Sequence, residues 1–123
     1  MSRCMIVEKS AVVRKVAKRI LTADNRFVAE AATAGEALAM IEADMPDTII
    51  VEVNPADMDL LDFLRAVRAM EAETRPVIIV AMIEMDLVQM TKAKRAGADD
   101  YLLKPFDRMQ LLNRFEQVTA AAA

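Results

Sequence analysis

The sequence contains no histidine, which excludes an imidazole base and any metal site built on histidine ligands. Tryptophan is also absent and aromatic residues make up only 4% of the chain, so no stacking platform for bases is available. The single cysteine, Cys4, rules out an internal disulfide, and its place inside an apolar run reads as a buried thiol. With only Gly35 and Gly97, the chain has no glycine-rich phosphate loop. A formal charge of −3 does not supply the basic surface that nucleic acids require. The apolar runs are strand length, well short of the about 20 residues that span a bilayer. No basic segment followed by a long apolar one opens the chain, so no secretion signal is read. These absences lead us to expect a cytoplasmic protein with neither a membrane nor a nucleic acid as partner.

What is present is a regular alternation. Strand-like runs rich in β-branched residues occur at Cys4–Val7, Phe27–Ala31, Thr48–Val53, Val77–Ala81 and Tyr101–Leu103. Between them lie helical patterns with apolar residues three and four apart. Val12, Val13, Val16, Ile20 and Leu21 form one stripe, and Leu60, Leu61, Leu64, Val67 and Met70 another. Punctuation agrees with this division. Ser10 can cap the first helix, Thr33 with Glu36 and Asp107 with Gln110 have capping-box spacing, and Gly97 stands where the fourth helix should stop. Strands alternating with helices imply an α/β fold, a five-stranded parallel sheet with helices on both faces. Right-handed crossovers then bring every strand's C-terminal end to one edge, where such sheets place their sites.

Residues 1–119 read as one domain without linker or repeat, which leaves no room for an attached output domain. The tail Ala120–Ala123 reads as a frayed helix end. The ten methionines read chiefly as core filler, with Met82, Met85 and Met90 as a possible adaptable contact patch.

Several runs carry more than periodicity. They are Met5-Ile6-Val7-Glu8-Lys9-Ser10, Ile49-Ile50-Val51-Glu52-Val53 with Met58-Asp59, Pro76-Val77-Ile78-Ile79-Val80, and Ala96-Gly97-Ala98-Asp99-Asp100-Tyr101-Leu102-Leu103-Lys104-Pro105-Phe106. With these runs the whole chain resembles a receiver domain of the bacterial two-component response regulators, in its single-domain, chemotaxis-regulator-like form. The resemblance implies the flavodoxin-like (βα)5 fold. It also implies a site made of an acidic pair after the first strand, a phosphorylated aspartate after the third, a Thr or Ser after the fourth and a lysine after the fifth. Three carboxylates and one lysine would suit one hard, oxygen-seeking Mg²⁺, and metal and lysine would shield the charge of a transferred phosphoryl group.

The chain departs from that pattern at most of these positions. Glu8 keeps a carboxylate at the first place of the acidic pair, but Lys9 puts an ammonium at the second. Glu52 stands where the phosphoacceptor is expected and Ala81 where the hydroxyl residue is expected. Pro55-Ala56 and Leu60 alter the loop after the third strand. Lys104-Pro105, whose peptide bond the resemblance implies to be cis, and Tyr101, the switch aromatic, match. Glu8 and Glu52 against Lys9 and Lys104 sum to zero charge, so Mg²⁺ binding is expected to be weak or absent, with Lys9 taking the charge role of the metal. Glu52 is expected to accept charge-assisted hydrogen bonds from Lys9 or Lys104, with Lys104 the favoured contact. Asp57 and Asp59 read as members of a solvated loop and a helix start.

The expectation is a non-enzymatic, receiver-like signalling protein with a degenerate phosphorylation site. Its partners would be a sensor kinase, a phosphotransfer protein or another response regulator. The resemblance implies docking through the fourth helix, fifth strand and fifth helix, where Met85, Met90, Lys92, Lys94, Arg95, Tyr101, Phe106 and Arg108 lie. Two alternatives stay open: an altered switch that takes phosphate on Glu52 or Asp57, and a small-ligand sensor in the former phosphorylation cleft.

Overall fold

The structure is a computed structural model that describes residues 2–122, with side chains for residues 2–118. The elements run β1 (Arg3–Val7), α1 (Ala11–Ala23), β2 (Phe27–Ala31), α2 (Ala34–Ala43), β3 (Thr48–Glu52), α3 (Leu60–Ala69), β4 (Val77–Met82), α4 (Leu87–Ala96), β5 (Asp100–Leu103) and α5 (Arg108–Ala122). The sheet order is β2-β1-β3-β4-β5 and all neighbouring strands are parallel. This is the α/β architecture expected from the alternating patterns. Each strand agrees with its expected run to within one residue at either end.

β3 and β4 read as continuous apolar runs because both of their faces are covered. Along each strand, successive side chains enter opposite layers. Met5, Val7, Ile49, Val51, Ile78 and Val80 pack against α2, α3 and α4, around Ile41, Phe63, Leu64 and Val67. Cys4, Ile6, Ile50, Ile79, Ala81 and Leu102 pack against α1 and α5, around Ala17, Leu21, Leu111 and Phe115. Cys4 is buried, as the sequence led us to expect, and burial raises its thiol pKa.

Two helix stripes and the methionine patch need correction. Val12 and Val16 are 71% and 43% exposed. The buried face of α1 runs instead through Ala17, Ile20 and Leu21, so the two valines lie on its flank. Phe63, outside the expected α3 stripe, is fully buried, while Leu61 and Met70 are only partly so. Met82 is buried inside the sheet, so it cannot belong to a surface patch with the exposed Met85.

The predicted caps form. Ser10 Oγ accepts from the Val13 N–H, Thr33 Oγ1 from the Glu36 N–H, and Asp107 and Gln110 bond one another's backbone N–H groups reciprocally. Gly97 ends α4 at φ +125°, a backbone conformation that side-chain-bearing residues rarely adopt. A Cβ there would also lie 2.6 Å from Arg68 Cγ. The close approach lets Arg68 donate to the carbonyls of Gly97 and Pro76 and to Asp99, tying α3 to the N-terminal edge of the sheet.

Candidate functional site

At the opposite, C-terminal edge, three strands deliver residues at or just beyond their ends to one point. Glu8 follows β1, and its N–H is held by the Ala31 carbonyl at 3.0 Å. Glu52 closes β3 beside Ala81 of β4. Lys104 follows β5, with its N–H on the Met82 carbonyl at 2.8 Å and a cis peptide bond to Pro105. Both carboxylates are buried, each at 3% exposure. Buried carboxylates at a sheet edge need charged or N–H partners to offset the loss of water, and each has two.

Lys104 Nζ donates to Glu8 Oε1 at 2.6 Å, and the Ser10 N–H donates to Glu8 Oε2 at 2.9 Å. The Lys9 backbone N–H donates to Glu52 Oε2 at 2.6 Å, while Lys9 Nζ lies 2.9 Å from Glu52 Oε1. Lys9 Nζ also donates to the Asn54 carbonyl at 2.7 Å, crossing from the end of β1 to the loop after β3. The expected contact of Lys104 with Glu52 is therefore replaced by two separate pairs, Lys104 with Glu8 and Lys9 with Glu52. The reason lies in the backbone: Lys9 approaches Glu52 with both its N–H and its ammonium, and Glu8 then takes the cation from β5.

A second tier of cations supports the first. Arg14, on the first turns of α1, donates to the Glu8 and Lys9 carbonyls at 2.6 and 3.2 Å, and lies 3.4 Å from Glu30 of β2. Lys18 reaches the other Glu30 oxygen. Arg14 and the Asn54 carbonyl were missed in the sequence. The carbonyl carries no sequence signal, and Arg14 reads there as an ordinary helix charge.

Ala81 is buried and brings no hydroxyl to the site. Tyr101 is half-buried against the α2–α4 side of the sheet, and its Oη donates to the Met90 carbonyl of α4. Burial, aided by Asp100, pushes its phenol pKa up. Asp57 and Asp59 are exposed, but each has a definite task. Asp59 caps α3. Both oxygens of Asp57 accept N–H groups at the start of α2, from Ala34 at 2.8 Å and Gly35 at 3.0 Å. The Gly35 and Ala34 N–H groups hold the Asp57 carboxyl below the ordinary aspartate range. The loop after β3 is thus fastened at Asn54 by an ammonium and at Asp57 by a helix N-terminus.

Among the described residues, no group of three or more His, Cys, Asp or Glu side chains is placed to hold a metal ion. No helix among them is long and apolar enough to cross a membrane.

Comparison with known proteins places the chain in a family. Residues 4–116 match the model of the response regulator receiver domain. The chain is 29% identical to the chemotaxis protein CheY of Bacillus subtilis, over 89% of this chain and 91% of that one. It is 35% identical, over 99% of its length, to a protein-glutamate methylesterase/protein-glutamine glutaminase of Rhodospirillum rubrum, but covers only 35% of that protein. Among solved structures, the chemotaxis response regulator CheY4 of Vibrio cholerae superposes with a TM-score of 0.91 at 29% identity, over 96% of this chain and 98% of that one. The receiver domain of the sensor histidine kinase PA1611 of Pseudomonas aeruginosa, solved with a magnesium ion in its active-site cleft, gives 0.84 at 25% identity, over 94% and 95%. This chain belongs to the response regulator receiver-domain family, the signalling modules of two-component systems.

Proposed function

We propose that this receiver domain signals without being phosphorylated, as a protein-interaction module whose site is held closed by its own lysines. The observation that carries the reading is the seat of Lys9 Nζ, between Glu52 Oε1 at 2.9 Å and the Asn54 carbonyl at 2.7 Å. The residues do not fit the Mg²⁺ that the family resemblance implies. An ammonium stands where an oxygen ligand is required, and the two carboxylates are neutralised by two lysines before any ion arrives. Glu52 spends both oxygens on Lys9, which leaves it poorly disposed to attack a phosphoryl donor. Ala81 offers no hydroxyl to a phosphoryl group, and Tyr101 is tied to α4 through Met90, so the usual coupling between site and aromatic has no starting point.

Docking is assigned to the α4–β5–α5 side. Its neighbourhood carries exposed apolar side chains on the β4–α4 loop and early α4: Ile83, Met85, Leu87 and Val88, at 79%, 44%, 76% and 64% exposure. Leu103 and Met109 continue them toward α5. The exposed Lys92, Lys94, Arg95 and Arg108 flank this surface. Apolar side chains rimmed by cations suit a protein partner with an apolar, acidic face, such as a sensor kinase, a phosphotransfer protein or another response regulator. With such partners the protein would work in the cytoplasm.

An NMR titration of the labelled chain with Mg²⁺ and then beryllofluoride, a phosphoryl mimic, tests the reading. Unmoved resonances around Glu52 and Lys104, with partner capture by the unmodified chain, are the expected result. Saturable shifts that spread to Tyr101 would restore an altered phosphorylation switch.

A further inference from the structure

The end of the molecule away from Glu8 and Glu52 holds a cleft of about 550 Å³, between Arg3, the last turn of α2 and the segment after α3. Ile41, Met45 and Met70 give it an apolar lining. Glu42, Glu71 and Glu73 line it too; all three are exposed and have no ion-pair partner among the described residues. Two helices end here, α2 at Ala43 and α3 at Ala69, and their C-terminal carbonyls add partial negative charge. The nearby cations are already engaged. Arg3 is held by Asp44 and the Met45 carbonyl, Arg68 by the Gly97 and Pro76 carbonyls, and Arg75 by Asp99.

The converse pattern lies on α1. Val12, Lys15, Val16 and Arg19 recur three and four residues apart and are all exposed, so they form one stripe about two turns long. Arg14 and Lys18 are taken up by Glu30, whereas Lys15 and Arg19 have no ion-pair partner among the described residues. The stripe offers apolar knobs flanked by free cations, and the cleft offers an apolar lining flanked by free carboxylates.

We infer that the α1 stripe of one copy docks into the α2–α3 cleft of a second copy of this chain. Charge complementarity selects the occupant: a small net charge of −3 conceals two unpaired surfaces of opposite sign on one chain. Stripe and cleft are different patches, so the contact runs head to tail and generates open chains or rings. Exposed ion pairs are individually weak and are screened by salt, which makes the association dependent on concentration and ionic strength. The α4–β5–α5 side takes no part in the contact. Each copy keeps that side free, so assembly multiplies the surface open to partners.

Sedimentation of the full chain over a concentration series, at low and at high salt, tests the inference, with ¹⁵N shifts followed on dilution. The weight-average mass should rise above the 13.6 kDa monomer at low salt and return to it at high salt. Dilution shifts should map to residues 12–19, 41–45 and 70–74. Lys15→Glu with Arg19→Glu, or Glu71→Lys with Glu73→Lys, sets like charges against each other and should weaken self-association about tenfold or more. Mixed in equal amounts, the two variants complement one another at both contacts, and association should return. Dispersed spectra confirm that each is folded. Should a charge-reversed variant unfold, Val12→Ser with Val16→Ser takes its place, and undiminished association in that variant overturns the inference. A native chain that stays monomeric at low salt also overturns it and leaves the cleft to a foreign cationic segment. So do association that survives both reversals, a mixture that stays monomeric, and dilution shifts confined to the α4–β5–α5 side.

Discussion

Lys104 and Glu8, 96 residues apart, meet at 2.6 Å and join the end of the last strand to the end of the first. Their side chains are 17% and 4% exposed, so water offers little help to either if the other is lost. Glu8→Ala should therefore be the most damaging single change at the site. Leaving a largely buried lysine unpaired costs about 3–5 kcal/mol. Urea unfolding monitored by circular dichroism measures this, and a loss below that of Glu52→Ala would show that Lys104 finds water or another partner.

Glu52→Ala provides the companion experiment. Glu52 is buried, but its partner Lys9 is 54% exposed and can return to solvent. The Lys9 backbone N–H loses its acceptor, so a smaller destabilisation of about 1–3 kcal/mol is expected. An unchanged unfolding midpoint would mean that Glu52 contributes nothing as a buried acceptor.

Asp57 yields a pH signature. Its folded-state pKa is depressed by the N–H groups of Gly35 and Ala34. A depressed carboxylate contributes stability that is fully present above its unfolded value and is lost as pH falls through the folded value. The native chain should therefore be more stable than Asp57→Asn near neutrality. That difference should shrink below the ordinary aspartate value of 3.8 as the carboxylate is protonated. Paired urea titrations from neutral to acid pH check this, and a pH-independent gap would assign the role to Asp57's shape rather than its charge.

Gly97→Ala should weaken the other end of the molecule. The new Cβ meets Arg68 at 2.6 Å at a φ of +125°, so strain and displacement of the Arg68 side chain act together. A loss of about 1–3 kcal/mol is expected. Arg68→Ala, which relieves the clash but abandons the Gly97 and Pro76 carbonyls, should also destabilise. If the double variant is no worse than either single one, the two residues act as one unit.

The sequence determined the architecture because its signals are local. β-branched runs, caps and the spacing of apolar residues each report on a few neighbouring positions, and a parallel sheet follows from their alternation. It also brought Glu8, Lys9, Glu52 and Lys104 to a common edge, because each lies at or just beyond the end of a strand. The pairing among them was decided only in three dimensions. Which lysine meets which carboxylate depends on the Lys9 N–H reaching Glu52 and on Lys104 lying over Glu8, angles that no spacing reveals. The same holds for Asp57, a loop residue in sequence and the anchor of a helix in space, and for the Asn54 carbonyl, a backbone atom that every residue type possesses. Val12 and Val16 misled for a related reason: periodicity names a helix face, but only packing against β2, β1 and α5 tells which side of α1 is inside.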